Sequence, residues 1–160
     1  MIPFVGHAGV ALIIAFLLRI DPLLTVIGSF IPDIDFVTSL LKVKWSKGHR
    51  RLTHSLLFIT LFIVLSLVSP FFIPLAVGLA THYATDLDSW GIPLFYPFNN
   101  KYYSIKKINH GKSFENPQAY IKEFFRKRGL MFWIEWALLA LGIILNWGYI
   151  AALVKTMLGF

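Results

Sequence analysis

Charged positions divide the chain into apolar stretches whose lengths predict its elements. Ile2–Leu18 holds 17 positions without a formal charge and Ser55–Thr81 holds 27, against the roughly 20 mostly apolar residues that a bilayer crossing takes. Pro70 and Pro74 interrupt the second stretch. An interior proline removes a helix hydrogen bond and clashes with the preceding turn, so two short helices, about 53–69 and 71–87, are expected to meet there. Leu130–Val154 is the clearest single span, with Glu135 near one end. Pro22–Val37 is short and broken by Pro32, which predicts a partial crossing or a re-entrant segment. The expected fold is all-α, a polytopic membrane helical bundle with about four to five membrane-embedded helices.

The pattern changes beyond residue 88. Leu94–Phe98 and Tyr102–Lys106 flank Asn99–Asn100 in the manner of a small hairpin. Asn116–Pro117 resembles the cap and first turn of a helix that would set Tyr120, Ile121, Phe124 and Phe125 on one side, as an interfacial helix does. The organisation expected is one membrane domain: a motif-bearing helical core to residue 98, a basic loop over 99–128 and a C-terminal transmembrane helix over 129–158.

Charge supplies orientation. Of the 15 basic residues, 13 lie in two loops, Lys42–Arg51 and Lys101–Arg128. An out-and-back hairpin between the loops places both on one side, which the positive-inside rule makes cytoplasmic, together with the N-terminus. A prokaryotic inner membrane is the expected location. A signal peptide is not expected, because no basic residue precedes the first apolar run and Arg19 follows it in place of a small-residue cleavage site. The chain is 57% apolar and 14% charged, where soluble domains run near 45–50% and about 25%; an ordinary soluble domain is excluded. With no cysteine, thiolate metal sites, disulfides and cysteine nucleophiles are excluded too. The net charge of +7 on so apolar a chain points to membrane lipids with anionic headgroups as partners, ahead of nucleic acid, for which no stacking module is visible.

The scarce acids and histidines fall in a pattern. Four of the five aspartates form two Asp-x-Asp pairs, Asp33/Asp35 and Asp86/Asp88. His49 and His54 stand in His-Arg-Arg-Leu-Thr-His-Ser, and His82 precedes Asp86 by four residues, a spacing that puts both on one helical face within reach of a shared cation. In the expected topology His7, Asp33/Asp35, His54 and His82/Asp86/Asp88 all lie at the cytoplasmic ends of their helices. Each group also has a plainer role: Asp33/Asp35 as helix caps or partners of Arg50 and Arg51, His82–Asp86 as a structural pair, His7 as a packed neutral ring, His49 or His54 as an interfacial basic residue. His110 is expected in solvent, Asp21 in a turn, and Glu135 paired with Arg126 or Arg128. Ionisable groups at membrane depth are costly and usually functional, and the joint arrangement suits zinc, manganese or iron, as one or two ions.

At these residues the sequence resembles the membrane-bound, metal-dependent hydrolases known as LexA-regulated or YdjM-like proteins. The matching segments are Gly6-His7, Ser29-Phe-Ile-Pro-Asp-Ile-Asp35, His49-Arg-Arg-Leu-Thr-His-Ser55, Gly78-Leu-Ala-Thr-His-Tyr-Ala-Thr-Asp86 and Gly91-Ile-Pro-Leu-Phe-Tyr-Pro97. The resemblance implies metal-ligand roles for His7, Asp33, Asp35, His49, His54, His82 and Asp86, with zinc first among the divalent ions. It implies hydrolysis by metal-activated water, and a distant likeness in the metal set to phospholipases and nucleases suggests a phosphoester such as a lipid headgroup. Asp35 or Asp88 would be the general base, Arg50 and Arg51 would hold an anionic group, and Thr53 and Ser55 would orient histidines. The rivals are a cation transporter or channel, which predicts polar lining through spans such as Ile59–Leu67 where little is found, and a scaffold with a structural metal, which needs only four ligands.

Overall fold

The computed structural model describes residues 4–36, 51–89, 91–105 and 129–159. Helix α1 spans Phe4–Leu18 and α2 spans Pro22–Phe30, which passes into a 3-10 turn over Ile31–Phe36. A second 3-10 turn, Leu52–His54, leads into α3 (Leu56–Val68) and α4 (Phe72–Ser89). Helices α5 (Leu130–Leu145) and α6 (Trp147–Leu158) complete the described elements. Helix α1 packs on α2 and α5, α2 on α4, and α4 on α3.

Local chemistry sets the helix ends. Asp21 caps α2 by accepting the Leu24 N–H at 2.8 Å, and Pro22 occupies the first turn, where its missing N–H costs nothing. At the other end of α2 Pro32 has no N–H with which to close a turn, and the chain tightens to 3-10 geometry. Ser55 caps α3, and its hydroxyl donates to Leu52 O at 2.7 Å. Gly91, at φ 75°, ends α4 by returning its N–H to Asp86 O at 3.0 Å, a left-handed conformation that only glycine adopts without strain.

Helices α2 and α4 approach so closely that a side chain has no room between them. A Cβ added at Gly78 would overlap the Thr25 carbonyl and stand 2.7 Å from Ser29 N; one added at Gly28 would stand 2.8 Å from Leu75 Cα. Backbone cannot yield as a flexible side chain can.

The segment after α4 folds back beside the second 3-10 turn. Ile92 and Tyr103 exchange backbone hydrogen bonds at 3.0 Å, and Leu56 N–H donates to Leu94 O at 2.8 Å. Leu79, Tyr83 and the fully buried Ile92 form a core there, joined by Phe58, Phe62 and Leu94. The expected hairpin is thereby corrected: among the described residues there is one isolated bridge and no strand. Cross-strand bonds alone do not sustain a two-stranded ribbon, and here the bridge is held by packing on α3 and α4. The expected interfacial helix beginning at Asn116 lies outside the described residues.

Two further expectations change. Residues 130–158 do not form one helix: α5 and α6 meet at Asn146 with a bend of 70°. The buried Asn146 side chain donates to Leu12 O at 2.9 Å and Gly142 O at 2.8 Å, so its amide bonds helix α1 as well as its own helix. No single described helix is long and apolar enough to cross a membrane, although α5 and α6 together pass that test of length and composition. Helix α3 buries none of its residues, and Leu57, Leu61, Ile63, Val64, Leu67 and Val68 are all exposed. An apolar face of this extent needs a lipid or protein environment.

Two outcomes follow from this packing. Gly78→Ala is expected to lower stability by about 1–3 kcal/mol, the usual cost of overpacking, read as a fall in Tm in a detergent-solubilised preparation. Asn146→Ala removes two buried hydrogen bonds and is expected to cost about 1–3 kcal/mol, leaving the α2–α4 contact and its glycine dependence intact.

Candidate metal centre

Five side chains that the sequence scatters from position 7 to position 86 meet at one end of the bundle. His7 projects from the first turn of α1, Asp33 from the 3-10 turn that ends α2, His54 from the turn before α3, and His82 and Asp86 from successive turns of α4. His7, His54, His82 and Asp86 are buried. Asp33, with its side chain 12% exposed, is the member of this group that reaches the surface.

The facing atoms are spaced as ligands. His54 Nε2 and His82 Nε2 stand 3.2 Å apart. Each lies 3.7 Å from Asp86 Oδ2, and Asp33 Oδ1 is 3.8 Å from the former and 3.9 Å from the latter. Tetrahedral ligands at about 2.0–2.2 Å from one divalent ion are separated by roughly 3.3–3.6 Å, and these five separations, from 3.2 to 3.9 Å, are close to that range. His7 Nε2 faces the other carboxylate oxygen, Asp86 Oδ1, at 3.8 Å. Its ring stacks on that of His82 with centroids 4.1 Å apart.

Each ring has an oxygen partner on its far side. His82 Nδ1 lies 2.7 Å from Ser29 O. A carbonyl only accepts, so the proton is on Nδ1 and Nε2 presents its lone pair. Pro32, three residues on from Ser29, offers this carbonyl no N–H. The Thr85 hydroxyl donates within its own helix, to His82 O at 2.8 Å and Thr81 O at 3.1 Å, and so accepts from His7 Nδ1 at 2.7 Å. Thr53 Oγ1 stands 3.2 Å from His54 Nδ1. The Tyr83 hydroxyl braces this turn at Thr53 O and Ser55 O, at 2.7 and 2.9 Å. His54 Nε2 and His82 Nε2 face each other at 3.2 Å, and the donor set, three imidazoles and two carboxylates, fits a zinc-, manganese- or iron-type ion. Two overlapping triads, His7/Asp33/His82 and His54/His82/Asp86, have the closeness that a metal requires.

Of the residues singled out from the sequence, the structure brings His7, Asp33, His54, His82 and Asp86 together. His49 and Arg50 lie outside the described residues, as do the side chains of Asp35 and Asp88. Arg51 is exposed and stands over the Tyr96 ring at 5.9 Å. Of the two expected orienting hydroxyls, Thr53 has that place, whereas Ser55 spends its hydroxyl on capping α3. Ser29 and Thr85 were not foreseen as orienting groups, although both lie inside the quoted motifs. Glu135 is buried with no hydrogen-bond partner among the described residues; its expected partners Arg126 and Arg128 are outside them.

No curated protein and no solved structure matches this chain. The family model described as YdjM inner membrane protein matches residues 1–155, nearly the whole chain, and the protein belongs to that family.

Proposed function

We propose that this inner-membrane-family protein is a metal-dependent hydrolase acting at the cytoplasmic membrane face on a phosphoester, with lipid headgroups as the substrate class. One observation carries the proposal: three imidazoles have Nδ1 engaged by an oxygen while all three Nε2 atoms converge with two carboxylates. A structural ion pair has no need of three oriented rings, whereas metal ligation uses this arrangement regularly.

In this proposal His54, His82, Asp33 and Asp86 hold a divalent ion, zinc by preference, and His7 supports the far oxygen of Asp86 or ligates a second ion. Such an ion supplies Lewis-acid charge and brings the pKa of water near 7. The chain's own residues do the rest. Asp33 lines the exposed side and admits water and substrate there. Asp35 and Asp88, each two residues from a ligand, are the candidates to take the water's proton. Arg50 and Arg51 hold the anionic group, for which a guanidinium offers paired donors. The basic loops draw the protein's cytoplasmic face to anionic lipid.

Metal content and activity test this together. Purified full-length protein is expected to carry one or two ions per chain by mass spectrometry, and His54→Ala and Asp33→Ala to lose metal. Turnover of a phosphoester panel should vanish with chelator and return with zinc or manganese. Wild-type protein free of metal after metal-replete purification would sink the proposal, and metal without turnover on any substrate would make the site structural. Separately, Thr85→Val removes the acceptor for His7 Nδ1 and is expected to weaken metal binding about 10–100-fold, the usual effect of losing an orienting partner, with helical content unchanged by circular dichroism.

A further inference from the structure

A pocket of about 350 Å³ opens beside the second 3-10 turn, lined by Arg51, Pro93, Tyr96, Pro97, Asn100 and Tyr102. Apart from Arg51, none of these residues has a part in the mechanism above. Both walls grow from elements that carry the metal-site residues. Arg51 precedes the turn that ends at His54, three residues and about 6 Å along a 3-10 axis. Pro93 follows Gly91 and Ile92, which are tied back to Asp86 O and to Tyr103. The pocket and the cluster are thus built on the same two stretches of chain.

Among the described residues the lining has one formal charge, the Arg51 guanidinium, and no acid. Arg51 stands over the Tyr96 ring, 5.9 Å from its centroid. A cation–π contact uses the guanidinium's charge without consuming its N–H donors, which stay available to an oxyanion. Asn100 and the two tyrosine hydroxyls add neutral donors and acceptors. That combination matches a phosphate carrying hydroxyl groups. An acyl chain would leave the Arg51 guanidinium without an oxyanion, and a quaternary ammonium would meet a like charge.

We propose that this pocket is the headgroup subsite of the hydrolytic centre and binds the phosphorylated polyol portion of an anionic substrate, with Arg51 on the phosphate and Asn100 and Tyr102 on hydroxyls. The proposal rests on the hydrolase assignment for its purpose but not for its test, because binding is measured without turnover.

The probes are dihexanoyl phosphatidylglycerol, dihexanoyl phosphatidylcholine and glycerol 3-phosphate, titrated into chelator-treated full-length protein in detergent. The glycerol lipid is expected to bind at least tenfold more tightly than the choline lipid. Arg51→Ala should erase that preference by weakening the glycerol lipid about tenfold, Arg51→Lys should restore part of it, and Asn100→Ala or Tyr102→Phe should weaken it by a smaller factor. Arg51 is exposed, so unchanged helical content and metal content are expected to show that the variants are folded. Equal binding of the two lipids, or selectivity surviving Arg51→Ala, overturns the proposal. Glycerol 3-phosphate binding as tightly as the lipid, and still dependent on Arg51, keeps the pocket chemistry and assigns it to a soluble polyol phosphate. Selective binding by a protein that hydrolyses nothing removes the hydrolase assignment alone; hydrolysis with no headgroup selectivity removes this subsite alone.

Discussion

The hydrogen bond from His82 Nδ1 to the Ser29 carbonyl joins the two halves of the site, and much of the bundle can be understood as what makes it possible. The bond spans 53 positions and is 2.7 Å long. Pro32 offers no N–H to that carbonyl, and Gly28 and Gly78 let α2 and α4 touch backbone to backbone. Gly78 is one helical turn before His82, so the closest helix contact and the oriented ring lie on one face of α4. The same contact places the 3-10 turn bearing Asp33 over the end of α4. A single proline and two glycines thus position three of the five clustered side chains.

Burial gives the arrangement its chemical direction. Asp86 and three histidines have been withdrawn from water, which is costly for any ionised group without compensating charge. The rings are not randomly protonated compensation, because Ser29 and Thr85 fix the proton of His82 and of His7 on the outer nitrogen. Two carboxylates and the inward lone pair of His82 face one another there. Arg51, the nearest described arginine in sequence, stands outside over Tyr96. An acidic, imidazole-rich cluster thus stands apart from a pocket lined by a guanidinium and neutral polar groups.

Much of this was legible in the sequence because it depends on spacing and on residues with one dominant conformational effect. Pro32 ending α2, Pro70 and Pro74 delimiting α3 and α4, and the four-residue step from His82 to Asp86 are local facts, and each holds in the fold. The convergence of His7, Asp33, His54 and Asp86 was legible one step further, from counting which helix end each occupies. Ser29 and Thr85 escaped because a carbonyl and a helical threonine become orienting groups only when another helix brings a ring to them. The break at Asn146 escaped for a related reason. An asparagine in an apolar run carries little local signal, and its amide is explained by Leu12, 134 positions away. The hairpin around Asn99–Asn100 was anticipated from turn chemistry, but the core residues Leu79, Tyr83 and Ile92 decided the path of that segment.

Helix length constrains where such a site can work. Helices α1, α3 and α4 have 15, 13 and 18 residues, which at 1.5 Å per residue is about 20–27 Å, less than the roughly 30 Å hydrocarbon core of a bilayer. On the membrane placement proposed above, short helices must thin the bilayer or enter it only in part. Either accommodation brings their ends towards the headgroup layer. The clustered histidines and aspartates are at those ends, with Asp33 on the accessible side and the Arg51 pocket adjoining. A carrier for cations would place its ligands near mid-membrane, where both sides can reach them in turn. On that proposal, histidines and aspartates gathered towards the ends of short helices, beside a basic and hydroxyl-lined pocket, are better placed to meet water and lipid phosphates together.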